Sequence, residues 1–111
     1  MALQVSRDND TIIIAMPPRF DANNAPDSEA EIKTLLAGNP AKLVLDFAQT
    51  DYIASAGLRV LLVVTRGQMK AGGKVALATI RPQVLKVFEM AGFTSIFTIC
   101  ATRDEAIRKI S

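Results

Sequence analysis

Short apolar runs alternate with longer amphipathic stretches along the 111-residue chain, and this alternation predicts a mixed α/β fold. Residues 3–5 and 11–16 predict two strands, and the turn residues at 8–10 favour an antiparallel hairpin between them. Pro17 and Pro18 end the second strand, because proline cannot donate to a strand ladder. Three further strands are predicted at residues 43–45, 75–78 and 95–99.

Four helices are predicted between and after these strands. Asn24 is predicted as the N-cap of the first helix, with Pro26 in its first turn, and Gly38-Asn39-Pro40 is predicted to end it. Thr102 and Glu105 have the spacing of a capping box, in which each side chain accepts a hydrogen bond from the other's backbone N–H. The other predicted helices run from residue 56 to about residue 71, from Arg81-Pro82 to Gly92, and from Thr102 to Ile110.

From residue 43 onward the predicted order is strand, helix, strand, helix, strand, helix. Right-handed crossovers make such strands parallel and place the helices over the sheet. The predicted fold is therefore α/β, with a mixed β-sheet that begins with an N-terminal hairpin, continues as βαβαβα and carries about four helices. At 111 residues we expect a single domain, residues 1–111, built on one core.

The candidate chemistry lies in the stretch from Asp46 to Arg59. This stretch joins the end of an apolar strand to the first turn of a very apolar helix, so both of its flanks are expected to be buried. Ser55 is predicted as the N-cap of that helix, with its hydroxyl accepting from free N–H groups of the first turn. The same place favours added negative charge. On these residues alone Ser55 is a structural cap, and a functional role for its hydroxyl is the alternative.

Composition removes several classes of function. The chain has no histidine, which excludes Ser-His-Asp and Cys-His catalysis and histidine metal sites. Its single cysteine, Cys100, cannot form an internal disulfide and is predicted to be a small buried hydrophobe. A net charge of +2 with both signs interspersed gives no case for nucleic-acid binding. Without a membrane-length apolar run or a signal-peptide pattern, we expect no membrane insertion and a cytoplasmic location.

Two segments of the central region carry a family signature. They are Leu-Val-Leu-Asp-Phe at residues 43–47 and Asp-Tyr-Ile-Ala-Ser-Ala-Gly-Leu-Arg-Val-Leu-Leu at residues 51–62. Together they resemble STAS domains of the bacterial anti-sigma factor antagonist type. The resemblance covers nearly the whole chain, including Arg-Phe-Asp at residues 19–21 and Val-Phe-Glu-Met-Ala-Gly-Phe at residues 87–93. It implies the STAS fold, a mixed sheet with helices packed on it.

The resemblance implies a regulatory protein that is not an enzyme and needs no cofactor. In that family a serine of this loop is phosphorylated by a partner kinase that is also the anti-sigma factor, and a serine phosphatase reverses the change. That serine corresponds to Ser55, and ATP would be bound by the kinase only. Asp46 and Asp51 would support the loop structurally. The implied partner-binding face consists of Arg19, Phe20, Asp21, Tyr52, Ala54, Ala56, Gly57, Leu58 and Arg59.

Alternatives to this reading stay open at the level of the sequence. Many family members have an aspartate or a second serine where this chain has Ala54 and Ala56, which leaves open a non-phosphorylated accessory STAS subunit of a transporter or sensory complex. Asp21 as a turn residue and Arg59 as a solvated side chain are the structural alternatives to partner contact. An enzymatic domain that handles a small ligand or nucleotide is a third possibility, without a phosphate-binding glycine pattern to support it.

Overall fold

The computed structural model describes residues 3–38 and 40–111, so Asn39, at the predicted end of the first helix, lies outside the described residues. The strands are β1 (Gln4–Asp8), β2 (Thr11–Ala15), β3 (Arg19–Phe20), β4 (Lys42–Asp46), β5 (Tyr52–Ile53), β6 (Lys74–Ala78) and β7 (Ile99–Cys100). The helices are α1 (Ala25–Leu36), α2 (Ser55–Lys70), α3 (Pro82–Met90) and α4 (Arg103–Lys109). Apart from the short β3 and β5, this is the predicted order of elements.

The five main strands form one sheet in the order β1-β2-β4-β6-β7. β1 pairs with β2 antiparallel, whereas β2, β4, β6 and β7 run parallel to one another. Asn9, in the turn between β1 and β2, has a φ of 55°, a left-handed conformation that asparagine tolerates better than most residues. The structure thus confirms the predicted mixed sheet with an N-terminal hairpin.

Helices cover both faces of this sheet. α1, α2 and α3 pack on one face, and α4 packs on the other. Alternation along β2 explains the division, because Ile12 and Ile14 point to the first face and Ile13 to the second. On the second face, Ala106 of α4 and Ile110, which directly follows that helix, are buried. Within the described residues, no helix combines the length and apolar character needed to cross a bilayer.

Cys100 is buried in the layer between the sheet and α4, with 4% of its surface exposed. This confirms the prediction of a small buried hydrophobe. Burial first, and then the negative charge of Glu105, raises the pKa of the Cys100 thiol. The thiol is therefore kept in its protonated and less reactive form.

The fifth predicted strand is wrong over most of its length. The sequence predicts a strand at residues 95–99, but β7 contains only Ile99 and Cys100. The Ile96 N–H instead donates to the Phe93 carbonyl at 3.1 Å and closes a turn. This turn places the buried Phe97 ring 5.8 Å from that of Phe88. Packing of Phe97 against Phe88, which the strand pattern does not reveal, therefore explains why β7 begins later in the chain than predicted.

Two short strands outside the main sheet position the central loop. β3 pairs in parallel with β5, with Arg19 opposite Tyr52 and Phe20 opposite Ile53. The pairing brings the segment that follows β2 alongside the segment that precedes α2. The start of α2 is consequently held by a contact between distant parts of the chain.

Candidate functional site

The loop at residues 47–54, which leads from β4 to α2, is anchored by side chains to the segment that follows β2. The Gln49 side-chain amide donates to the Met16 carbonyl oxygen at 2.9 Å. The Thr50 hydroxyl donates to the Pro17 carbonyl oxygen at 2.8 Å, and Thr50 is fully buried. The two prolines end the pairing of β2 within the sheet, so the carbonyl groups of this segment are available to accept hydrogen bonds from the loop.

Backbone hydrogen bonds complete this anchorage. The Asp51 N–H donates to the Pro18 carbonyl at 2.9 Å, and the Ala54 N–H donates to the Phe20 carbonyl at 3.0 Å. The Asp51 side chain is exposed, and among the described residues its carboxylate has neither a hydrogen bond nor an ion pair. Asp51 thus contributes its backbone to the loop, while its negative charge faces solvent.

Asp46 is the polar centre beneath the loop and is only 4% exposed. Its carboxylate accepts hydrogen bonds from the Ala48 N–H at 2.9 Å and from the Thr79 hydroxyl at 2.6 Å. Arg103 donates from Nε at 2.8 Å and from Nη2 at 2.7 Å. Burial by itself would raise the pKa of Asp46, but the donors from Thr79, Ala48 and Arg103 together lower it. Asp46 is consequently held as a carboxylate.

Thr79, Arg81 and Arg103 belong to this site although the sequence did not single them out for it. Thr79 has a φ of 59°, which is rare for a β-branched residue and places its hydroxyl on the Asp46 carboxylate. Arg81 donates from Nε and Nη2 to the Ala48 carbonyl at 3.0 and 2.8 Å. All three are far from the loop in sequence, so no local spacing could have revealed them.

Gly57 allows α2 to approach β3 closely. A Cβ atom at this position would lie 2.6 Å from the Phe20 carbonyl oxygen and 3.0 Å from atoms of the Phe20 and Ile53 side chains. Such a distance to a backbone atom can be relieved only by moving a segment. The start of α2 is thus locked against the β3–β5 pair through a glycine.

Ser55 is the first residue of α2, and the prediction that it is the N-cap is wrong by one residue. Ala54 holds the N-cap position, with φ −109° and ψ 173° and no side-chain cap. The Ala54 N–H is bound to Phe20, and this tertiary contact fixes where the helix begins. Ser55 is exposed. Within the described residues, the N–H groups of Ser55, Ala56 and Gly57 donate no hydrogen bond, as expected for a helix N-terminus.

A charged and aromatic group lies beside this helix start. The Arg19 guanidinium carbon is 4.3 Å from the centre of the Tyr52 ring, and Arg19 Nε is 3.6 Å from an Asp21 carboxylate oxygen. Asn24 holds the N-cap position of α1, as predicted. Its side chain, however, bonds to the N–H of Asp21 and to the carbonyl of Arg19 instead of capping the helix. These contacts define the positions of the Arg19, Asp21 and Tyr52 side chains relative to one another.

The structure shows which residues of the predicted partner-binding face are accessible at the surface. Arg19, Tyr52, Ser55 and Arg59 are exposed, and Asp21, Ala54 and Ala56 are half-buried. Three other members of the predicted face, Phe20, Gly57 and Leu58, are buried in the core. The Phe20 and Leu58 side chains lie in the core beneath the face, and Gly57 lets α2 pack closely against β3.

Among residues 3–38 and 40–111, no group of three or more His, Cys, Asp or Glu side chains is arranged to bind a metal ion. The buried polar side chains around the loop, those of Asp46 and Thr50, are hydrogen-bonded, whereas the Asp51 and Ser55 side chains are exposed. What the arrangement offers is an exposed hydroxyl on a rigid support, with free N–H groups behind it. Such a surface is suited to recognition and to modification by another protein.

The comparison with protein families agrees with the fold. The STAS domain model matches residues 2–106, and the chain belongs to this family. A curated relative from Bordetella bronchiseptica, named "Putative anti-sigma factor antagonist BtrV", is 34% identical over 106 residues, which are 96% of this chain and 91% of the relative. The chain belongs to the anti-sigma factor antagonists within the STAS family.

Solved structures show the same fold. An anti-sigma factor antagonist from Mycobacterium paratuberculosis matches with a TM-score of 0.89 and 21% identity, over 98% of this chain and 92% of that one. The Bacillus cell fate determinant SpoIIAA in its phosphorylated form matches with a TM-score of 0.73 and 22% identity, over 99% of this chain and the whole of that one. These matches confirm the STAS fold that the sequence predicts.

Proposed function

We propose that this protein is a phosphorylation-controlled anti-sigma factor antagonist that works by partner switching in the cytoplasm. Unphosphorylated, it binds a serine kinase that is also an anti-sigma factor, and the kinase then releases its target. Phosphorylation of Ser55 by that kinase, with ATP bound by the kinase, ends the interaction. A serine phosphatase restores the binding form.

The observation that carries this proposal is the exposed Ser55 at the start of α2. The loop that leads to it is anchored to the segment after β2 and to Asp46. A phosphate there adds about −1.5 to −2 charges. The free N–H groups of the first turn favour this charge, so the modified domain stays folded. A structural neighbour in a phosphorylated form supports the same idea.

Phosphorylation would prevent binding by electrostatics and by bulk. Asp21 directly follows β3 and Asp51 directly precedes β5, and these two strands pair beside the start of α2, so the phosphate would join two carboxylates in the same region. A partner that fits the neutral hydroxyl would meet added volume, and it would have to desolvate a dianion. Each 1.4 kcal/mol lost weakens binding about tenfold, so a few kcal/mol suffice to release the partner.

The direct test is incubation of the purified protein with ATP and each candidate anti-sigma kinase of its source. Intact mass and peptide mapping should show one added phosphate, on the peptide that contains Ser55. Size-exclusion chromatography should then show that the complex dissociates. The Ser55→Ala variant is the matched control, and it should form the complex but accept no phosphate.

A stable complex without phosphate on Ser55 would contradict the proposal and support an accessory STAS subunit that is never phosphorylated. Phosphate on another residue would move the switch away from this loop. Phosphorylation that leaves the complex intact would separate the modification from partner release. Each result is read from the same samples.

A further inference from the structure

Arg59 lies four residues after Ser55 on α2. Since an α-helix has about 3.6 residues per turn, residues at this spacing are neighbours on one face. Both side chains are exposed, so neither is covered by the core. A group attached to the Ser55 oxygen can therefore be reached by the Arg59 guanidinium one turn further along the helix.

Arg59 has no carboxylate partner among the described residues. α2 itself contains neither aspartate nor glutamate, so no acid on this helix competes for it. The other nearby arginine of the face is differently placed, because Arg19 stacks on Tyr52 and lies beside Asp21. Of the two, Arg59 is the cation without an assigned contact.

We propose that Arg59 binds the phosphate of phosphorylated Ser55 within the same helix, as a positioning residue of the modified state. Arginine suits this role because its planar guanidinium donates two parallel hydrogen bonds to a phosphate. The inference rests on the proposed function, since it assumes phosphorylation at Ser55. It adds that the protein itself, and not only its partner, contains a group that recognises the phosphate.

Phosphorylation then changes the partner-binding face in two ways. It adds negative charge at Ser55, and it neutralises Arg59, which is an exposed cation in the unmodified protein. A partner that uses Arg59 loses an attractive contact at the same time as it meets the phosphate. Specificity between the two states is thereby increased by removal of a favourable contact as well as by repulsion.

The test measures the phosphate directly and needs no kinase. Phosphoserine is placed at position 55 during translation by amber suppression, and the second ionisation of the phosphate is followed by ³¹P NMR as a function of pH. Because Arg59 stabilises the dianion, Arg59→Gln should raise the proton affinity of the phosphate about twofold or more. Arg59→Lys should restore part of the difference.

Arg66→Gln is the matched control. Arg66 is exposed on the same helix, but it lies eleven residues, or about 16 Å along the axis, from Ser55. The Arg66→Gln variant removes the same charge from the same helix, and it should leave the titration of the phosphate unchanged. Equal shifts from both variants would indicate a general charge effect and would overturn the inference, as would no shift from Arg59→Gln.

Failure of this inference is distinguishable from failure of the proposed function. If no kinase modifies Ser55 but Arg59→Gln shifts the titration, the intramolecular contact stands and the switch does not. If a kinase modifies Ser55 and the titration is insensitive to Arg59, the switch stands and the contact does not. High salt should reduce the effect of Arg59→Gln, because the pair is exposed.

Discussion

The N-termini of α2 and α4 are built in opposite ways. At α4 the Thr102 hydroxyl accepts from the Glu105 N–H at 3.1 Å, and a Glu105 carboxylate oxygen accepts from the Ala101 N–H at 3.2 Å. The predicted capping box is therefore present, with the return bond displaced from Thr102 to Ala101. At α2 the cap residue is Ala54, which has no side-chain group to offer.

The difference shows that the start of a helix can be fixed in position while its first backbone N–H groups have no hydrogen-bond acceptor. α4 is closed by its own side chains, and its local sequence predicts where it begins. α2 is fixed from outside, by the Phe20 carbonyl that holds Ala54 and by the close approach at Gly57. Its first-turn N–H groups consequently stay free beside Ser55. α4 is capped by side chains, whereas the first turn of α2, at the candidate site, has free N–H groups that are able to hold an anion.

Removing the carboxylate that links the two regions should have the largest effect. Asp46 precedes the loop to α2 and binds Arg103, the first residue of α4. Asp46→Ala leaves the Thr79 hydroxyl and the Ala48 N–H without their acceptor, so we expect a loss of about 3 kcal/mol in the free energy of unfolding. Urea denaturation measures it, and a loss below about 1 kcal/mol would contradict the assigned role.

The same carboxylate predicts a pH dependence. Folding lowers the pKa of Asp46 below its ordinary value of 3.8, so its stabilisation is present above that value and is lost as the pH falls through the folded-state pKa. The stability difference between the natural chain and Asp46→Asn should therefore shrink in acid. Asp10→Asn is the control, because Asp10 is exposed in its pair with Lys42 and the pair should contribute below about 1 kcal/mol throughout.

Breaking the external fixation of α2 should have the next largest effect. Gly57→Ala places a Cβ atom 2.6 Å from the Phe20 carbonyl oxygen, and we expect it to lower the free energy of unfolding by about 2 kcal/mol. Gly67→Ala, in the same helix, has nothing within 4 Å and should raise it by about 0.5–1 kcal/mol. Thermal denaturation of the pair provides the comparison, and two changes of the same sign would exclude the proposed steric cause.

Removing the internal cap of α4 should cost less. Thr102→Ala deletes the acceptor of the Glu105 N–H, and we expect a loss of about 1 kcal/mol. Hydrogen exchange should accelerate locally, in α4 and not in α2. Thr102→Ser keeps the acceptor and should stay close to the natural chain, so equal losses from both variants would argue against capping.

Giving α2 a cap should have the smallest effect and the opposite sign. Ala54 already has the extended backbone of an N-cap, so Ala54→Ser introduces the acceptor without new strain. We expect a gain of about 0.5 kcal/mol in the free energy of unfolding. A gain of this size in Ala54→Ser, and none in Ala56→Ser, would show that the first turn of α2 lacks a cap.

The sequence predicts what is local and repeated, as these helix starts illustrate. The strands β1, β2, β4 and β6, the four helices and the Thr102 cap follow from periodicity and spacing. The two-residue strands β3 and β5 carry no such signal, so the sequence predicts the start of α2 one residue too late, with Ser55 as the N-cap. No sequence signal links Thr79, Arg81 and Arg103 to the loop, because only folding brings them to Asp46 and Ala48. The central loop and Asp46 could be found from the sequence, but the distant partners of Asp46 could not.

The pairing of β3 with β5 also has a consequence for the time course of folding. Met16 and Thr50, which meet in the same region, are 34 residues apart in the chain, and joining such distant segments costs chain entropy before contacts repay it. Pairing of β2 with β4 places Ala15 opposite Asp46 and so brings these segments together. We therefore expect the anchored loop before Ser55 to form after β2 and β4 have paired. An enzyme that recognises Ser55 in its folded surroundings would modify folded molecules and would not modify nascent or misfolded chains.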